Sequence, residues 1–220
     1  MTLQLRDDLV ATARRMSELG LAPGTSGNVS VRTARGFLVT PSGMAYDQLR
    51  GDDAVAVDLD GAIRPGQRAP STEWRLHRDI LAARPDAGAI VHTHSLYCTS
   101  VACLRRAIPA IHYMVVRAGG DEIPCADYAT FGTAELAAAA VRALGRGHAC
   151  LMANHGMVAL GDTLAAALRL ASDVETLAAQ YWHAVQLGQP HVLDHDELDR
   201  VRHQFAGYGQ SRRGPRSGPR

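Results

Sequence analysis

The feature that most constrains this chain is His92-Thr93-His94, which follows directly on the apolar run Ala89-Ile90-Val91. Such a run reads as a buried strand, and alternate residues of a strand point to the same face. Both imidazoles therefore project together from an otherwise apolar element. Burying two polar rings side by side is costly unless they share a partner, and a metal ion is the usual one. The fold must then bring further ligands to that face. An isolated His-x-His also arises from packing alone, so the pair needs support from elsewhere in the chain.

Two other segments offer it. Asn154-His155-Gly156 reads as a tight turn between two apolar strands, with Gly156 permitting close backbone approach. Glu73 falls at the start of a predicted helix, beside Ser71 and Thr72, either of which can cap it. Taken singly, His155 is an ordinary turn residue and Glu73 an ordinary first-turn acid. Taken with the strand pair, His92, His94, His155 and Glu73 make a three-histidine site with a movable carboxylate as fourth ligand. That donor set suits zinc, or cobalt or manganese, with a position open to substrate. His77, one turn after Glu73, reads as packing or as support from behind. His112, His148, His183, His191, His195 and His203 have no comparable grouping.

Composition sharpens the chemistry by exclusion. All 23 basic side chains are arginine, so no Schiff base can form on an enzyme amine, pyridoxal phosphate has no anchor, and a GxxxxGK[ST] phosphate loop is ruled out. With 22 acidic residues the formal net charge is +1, which argues against nucleic acid as a partner. An anion would have to be held by other means, and three small-polar turn clusters provide them: Gly24-Thr25-Ser26-Gly27-Asn28, Ser42-Gly43 and Ser71-Thr72. Backbone N–H groups and hydroxyls in such turns form anion-binding concavities, and the third cluster also opens a helix.

The remaining pattern alternates short strands with helices. Helices are expected over residues 3–20, from Ser71 to Arg84, over 96–104, 133–144, 163–187 and 195–206. Strands are expected over 29–32, 37–40, 54–57, from Ala89 through His94, and over 111–116, 149–153 and 157–160. No internal repeat or linker divides the chain, so residues 1–208 are expected to form one domain. The Arg/Gly/Pro segment 209–220 is expected to be disordered. Four cysteines without CxxC spacing, no leader-like apolar segment and no membrane-length apolar window predict a cytoplasmic protein with reduced thiols.

Seven stretches resemble the class II aldolase/adducin family: GTSGNVSVR (24–32), LVTPSGMAYDQL (38–49), PSTEWRLH (70–77), VHTHS (91–95), IPAIHYM (108–114), IPCADYATFGT (123–133) and NHGMVAL (154–160). The resemblance implies an α/β fold with αβα layers around a largely antiparallel central sheet, and a homotetramer with active sites at subunit interfaces. It implies a metal-dependent lyase that reversibly cleaves a ketose 1-phosphate, L-fuculose 1-phosphate or a related deoxy-ketose 1-phosphate, to dihydroxyacetone phosphate and a short aldehyde such as L-lactaldehyde. Under it, His92, His94 and His155 would hold zinc. Glu73 would serve as ligand and then as base. Tyr113 would reach the aldehyde oxygen from a neighbouring subunit. Thr25, Asn28, Ser42, Gly43, Ser71 and Thr72 would hold the phosphate, and Phe131 and Tyr208 would flank the aldehyde's path. The same scaffold also carries L-ribulose-5-phosphate 4-epimerases, sugar-acid phosphate decarboxylases and catalytically silent adducin-like modules. Glu73, where the epimerases typically carry Asp, together with Tyr113, favours the aldolase. Thr72 in place of Ser, Arg117 in place of a small apolar residue, and the Arg/Gly/Pro tail depart from the family pattern.

Overall fold

The computed structural model describes residues 3–207, so Tyr208 and the segment 209–220 lie outside the described residues. Seven strands form one sheet: β1 (Asn28–Arg32), β2 (Gly36–Val39), β3 (Val55–Asp58), β4 (Ala89–Thr93), β5 (Cys125–Ala126), β6 (Ala149–Met152) and β7 (Gly156–Gly161). Their spatial order is β3-β2-β1-β4-β7-β6-β5, antiparallel throughout except for the short parallel pair β5–β6. Six helices cover it: α1 (Leu3–Glu18), α2 (Trp74–Ala83), α3 (Leu96–Cys103), α4 (Ala134–Leu144), α5 (Leu164–Leu187) and α6 (His195–Gly207).

Strand alternation sorts the side chains into two cores. Val29, Val91, Leu151, Met157 and Ala159 face α1, α3 and α5, packing on Leu9, Ala13, Val101, Ala171 and Val174. Ile90, Cys150, Met152, Val158 and Leu160 face α2 and α4, packing on Leu76, Ile80, Leu136 and Ala140. The sheet is thus sandwiched, giving αβα layers, and its central strands are apolar on both faces, as strands covered on both sides must be. Each fully buried Leu, Ile or Val contributes about 1.5–3 kcal/mol relative to exposure. α4 and α5 start where the hydroxyls of Thr133 and Thr163 accept hydrogen bonds from the backbone N–H groups of Leu136 and Ala166. Among the described residues, no helix is long and apolar enough to cross a membrane.

The sheet's centre positions the chemistry. In the register of β1, β4 and β7, Asn28 and Val158 stand on either side of His92. Two glycines allow these strands to close on one another. Gly27 has φ +81°, and a Cβ there would lie 2.7 Å from the His92 carbonyl oxygen. A Cβ on Gly156 would lie 2.2 Å from the carbonyl oxygen of Thr93.

Three expectations are corrected. Residues 111–116 do not form a strand; Tyr113–Ala118 is a 3-10 helix. After Pro109 the chain turns tightly, with Ile111 N–H bonding to the Pro109 carbonyl, and the His112 ring accepts from the Met114 N–H at 3.2 Å. Val115 and Val116 are buried on the helix's inner side, so tertiary packing overrides the β-branched preference. The second helix begins at Trp74, with Glu73 rather than Ser71 or Thr72 as its N-cap residue. The Ser71 hydroxyl instead accepts from the Glu73 N–H at 3.3 Å. Finally, β4 ends at Thr93, so His94 lies one residue past the strand.

Because the Gly156 contact is with backbone, it cannot be relieved by a side-chain rotation. Gly156→Ala should destabilise the protein by about 1–3 kcal/mol, read as a lower urea midpoint. An unchanged midpoint would mean that β4 and β7 can separate freely at this point.

Candidate metal centre

Three elements deliver four donors to one spot: the end of β4 (His92 and His94), the β6–β7 turn (His155) and the start of α2 (Glu73). Their ligand atoms all lie within 4.8 Å of one another. Glu73 Oε2 stands 3.0 Å from His92 Nε2, and His92 Nε2 stands 3.0 Å from His94 Nε2. The three imidazole centroids are 4.8–5.0 Å apart and meet edge to face.

The donors, or the chain that carries them, are held from behind. The His92 Nδ1 lies 2.9 Å from the Met157 carbonyl oxygen. A carbonyl only accepts, so Nδ1 carries the proton and, in the neutral ring, Nε2 presents its lone pair to the cluster. His155 follows Asn154, whose φ of +55° turns the hairpin. Asn154 N–H bonds to the Ala102 carbonyl, and its Oδ1 accepts from Arg105 Nε at 2.9 Å. The chain after His94 is pinned by Glu175 of α5, whose carboxylate accepts from the Ser95 hydroxyl at 2.7 Å and from the N–H groups of Tyr97 and Cys98 at 2.9 Å. This acid satisfies the exposed donors at the start of α3.

The electrostatics suit a cation. His155 Nε2 comes within 3.2 Å of Glu73 Oε1, but the pair does not align as a hydrogen bond, and Oε1 is a buried carboxylate oxygen with no hydrogen-bond donor. Burial alone would push the Glu73 carboxyl up. The charge of His92 and the closeness of His155 outweigh it and hold the group well below the usual carboxylate range. For His94, burial and then the charges of His92 and His155 depress the ring to about 4, so it is neutral at pH 7. A buried anionic oxygen without a donor and converging imidazole lone pairs fit a divalent ion, and the nitrogen-rich set favours a borderline metal.

Above the cluster lies a cavity of about 290 Å³. Thr25, Asn28, Ser42, Gly43, Ser71 and Thr72 all line it, together with Glu73, His94, His155 and Phe131. No arginine is among its described lining residues. Phe131 is 65% exposed at its mouth. Among the described residues, one predicted position is not brought together with it. Tyr113 does not line the cavity; it is 47% exposed, and its ring stacks on His112 with centroids 4.5 Å apart. Tyr208 falls outside the described residues. Arg117 is turned elsewhere, 3.3 Å from Asp173.

Sequence reasoning missed Tyr46 and Glu175. The buried Tyr46 hydroxyl lies 2.8 and 2.7 Å from the Ser26 and Gly27 carbonyl oxygens and so ties down the first turn of the cradle. Its position in the turn-rich stretch after Ser42-Gly43 carries no periodic signal. Glu175 sits on an amphipathic helix where a lone acid reads as surface.

Residues 7–182 match the family described as Class II Aldolase and Adducin N-terminal domain. The chain is 52% identical to a 5-methylthioribulose-1-phosphate/5-deoxyribulose-1-phosphate aldolase of Rhodospirillum rubrum, over 95% of this chain and 94% of that one. It is 44% identical to an L-fuculose phosphate aldolase of Escherichia coli, over 94% and 96%. A solved L-fuculose 1-phosphate aldolase superposes with a TM-score of 0.90 at 36% identity, covering 94% of this chain and 98% of the other.

A metal taking this position must displace protons. Burial would lower the His92 pKa, but the adjacent Glu73 carboxylate outweighs it and the pKa is raised. The ring therefore holds a proton more tightly than usual, and affinity must weaken as pH falls through that raised value. Titration calorimetry with Zn²⁺ in buffers of differing ionisation enthalpy should show net proton release, with weaker apparent binding towards about pH 5.5 than at about pH 8. Binding without proton release, or with a flat pH profile, would contradict the arrangement.

Proposed function

The chain belongs to the class II aldolase and adducin family, and from that premise we propose that it is an aldehyde-lyase that reversibly cleaves a ketose 1-phosphate to dihydroxyacetone phosphate and a short aldehyde. One observation carries the reading. The four-donor cluster lies at the base of a cavity whose rim is built from three hydroxyl- and N–H-bearing turns. A metal position beside a cradle for an anion is what this cleavage needs.

His92, His94, His155 and Glu73 would hold the ion, with zinc the ion best matched to this set. The chemistry it supplies when bound is Lewis-acid stabilisation of the negative charge that develops as the carbon–carbon bond breaks. The turns at Thr25–Asn28, Ser42-Gly43 and Ser71-Thr72 bind the phosphate through N–H and O–H donors, which replaces the ammonium this chain lacks. Glu73 moves the proton at the carbon next to the carbonyl, removing it from dihydroxyacetone phosphate in synthesis and returning it in cleavage. Phe131 shields the aldehyde side, and Tyr208 follows it in the same role. Tyr113 manages the proton at the aldehyde oxygen. Its exposure, away from its own cavity, supports a homotetramer in which it serves a neighbour's site. Residues 1–208 would act as one catalytic domain. Four unpaired cysteines support a cytoplasmic setting.

For the aldehyde half, the higher identity to the methylthioribulose/deoxyribulose-phosphate enzyme, 52% against 44%, favours a 5-substituted or 5-deoxy pentulose 1-phosphate over L-fuculose 1-phosphate. A panel of ketose 1-phosphates with coupled detection of dihydroxyacetone phosphate should give the largest kcat/KM on the 5-deoxy or 5-methylthio substrate. Release of CO₂, or an epimerised pentulose phosphate without aldehyde, would overturn the aldolase reading. Glu73→Gln, saturated with Zn²⁺, should keep its metal yet slow proton exchange at bound dihydroxyacetone phosphate by about 10²–10⁴-fold. Undiminished exchange in deuterated water would remove Glu73 from the base role.

A further inference from the structure

Behind the Glu73 carboxylate runs a line of buried side chains. Ser30 and His77 are 0% exposed, Asn28 4% and Glu73 6%. Ser30 Oγ lies 2.6 Å from His77 Nδ1, His77 Nε2 bonds to Asn28 Oδ1, and Asn28 Nδ2 donates to Glu73 Oε2 at 3.1 Å. Chemistry fixes the direction of every link. A carboxylate only accepts, so Asn28 turns its nitrogen to Glu73 and its oxygen to His77. An amide oxygen only accepts, so His77 carries its proton on Nε2, and its Nδ1 accepts from the Ser30 hydroxyl. Burial, reinforced by the charge of His92, pulls His77 down to about 3, so the ring is neutral.

The periodicities of two elements build this line. Asn28 and Ser30 are alternate residues of β1 and share a face. His77 is four residues after Glu73, one turn along α2. The line ends on Oε2, which also stands 3.0 Å from His92 Nε2, while Oε1 stands 3.2 Å from His155 Nε2 and has no donor. The donor chosen is also telling. All 23 basic residues here are arginine, yet the group behind the carboxylate is a neutral amide. A guanidinium would neutralise the charge that a metal ion needs, whereas an amide orients the oxygen and leaves its charge available.

We propose that Ser30, His77 and Asn28 form a positioning relay that pins Oε2 of Glu73 and so sets the carboxylate against the metal position, so that the His77 ring governs metal binding through a carboxylate it reaches only by way of Asn28. The proposal rests on Glu73 being a ligand, as read above. His77 is a positioning residue.

The test is a double-mutant cycle on Zn²⁺ affinity, measured by chelator competition on the full chain. His77→Leu should weaken Zn²⁺ binding about 10- to 100-fold. His77→Gln, which keeps an N–H donor and an acceptor oxygen, should recover most of that loss. In a Glu73→Gln background, His77→Leu should change the affinity by less than about twofold, because the group it acts through has gone. If His77→Leu does not fold, Ser30→Ala takes its place, with a smaller loss that likewise vanishes in the Glu73→Gln background. Equal losses in both backgrounds, or wild-type affinity in His77→Leu, would overturn the relay. Absence of proton exchange at dihydroxyacetone phosphate by the wild-type protein would defeat the aldolase reading instead, and leaves the Zn²⁺ cycle still decisive for His77.

Discussion

Four groups bearing lone pairs, three imidazoles and a carboxylate, converge within 4.8 Å at the end of β4, with His92 and Glu73 buried. Without a cation such a gathering is costly, because buried acceptors face one another in a medium of low polarity. The rest of the architecture holds them there. β4 is central because it must place His92 beside β1 and β7 together, and Gly27 and Gly156 are glycines because the neighbouring backbones leave no room for a Cβ. Three of the four donors are braced by an uncharged partner or a distant acid: the Met157 carbonyl behind His92, Asn28 behind Glu73, and Glu175 behind the turn that follows His94.

Much of this was legible in the sequence because the chemistry is concentrated. Two histidines at strand spacing in an apolar run, a histidine before glycine at a hairpin, and a glutamate at a helix start each leave a local signature. The supporting residues leave none. Tyr46 and Glu175 act across long stretches of chain, and Ser30 looks like any strand residue whose neighbours are valines. The misreading at 111–116 has a similar origin. Its β-branched residues suit a strand, but packing of Val115 and Val116 against the core winds them into a 3-10 helix. Ser71 is a good cap by type and predicts an earlier start for α2, whereas here its hydroxyl accepts from the N–H of Glu73.

The absence of lysine acquires a structural meaning alongside its chemical one. The cavity is lined by hydroxyls, backbone, histidines, Asn28, Glu73 and Phe131, with no arginine among its described residues. Several arginines act on the scaffold instead, some on carboxylates, as Arg68 on Asp53 and Arg117 on Asp173, and some on backbone carbonyls. Arg32, at the end of β1, donates to the carbonyl oxygens of Leu81, Arg84 and Ala87 at 2.7–2.8 Å and so closes the end of α2. The same strand supplies Asn28 to the start of that helix. β1 therefore holds α2 at both ends, which fixes Glu73 relative to the histidines. Positive charge is kept for the scaffold, and the site is left for a metal and an anion.

The most direct test of this account is the coordination sphere of the zinc-loaded protein, read by anomalous diffraction or X-ray absorption. One ion per chain bound by the Nε2 atoms of His92, His94 and His155, with a Glu73 oxygen completing the set, all at about 2.0–2.2 Å, is the predicted result. An ion bound elsewhere, or by fewer than three of these imidazoles, would contradict it.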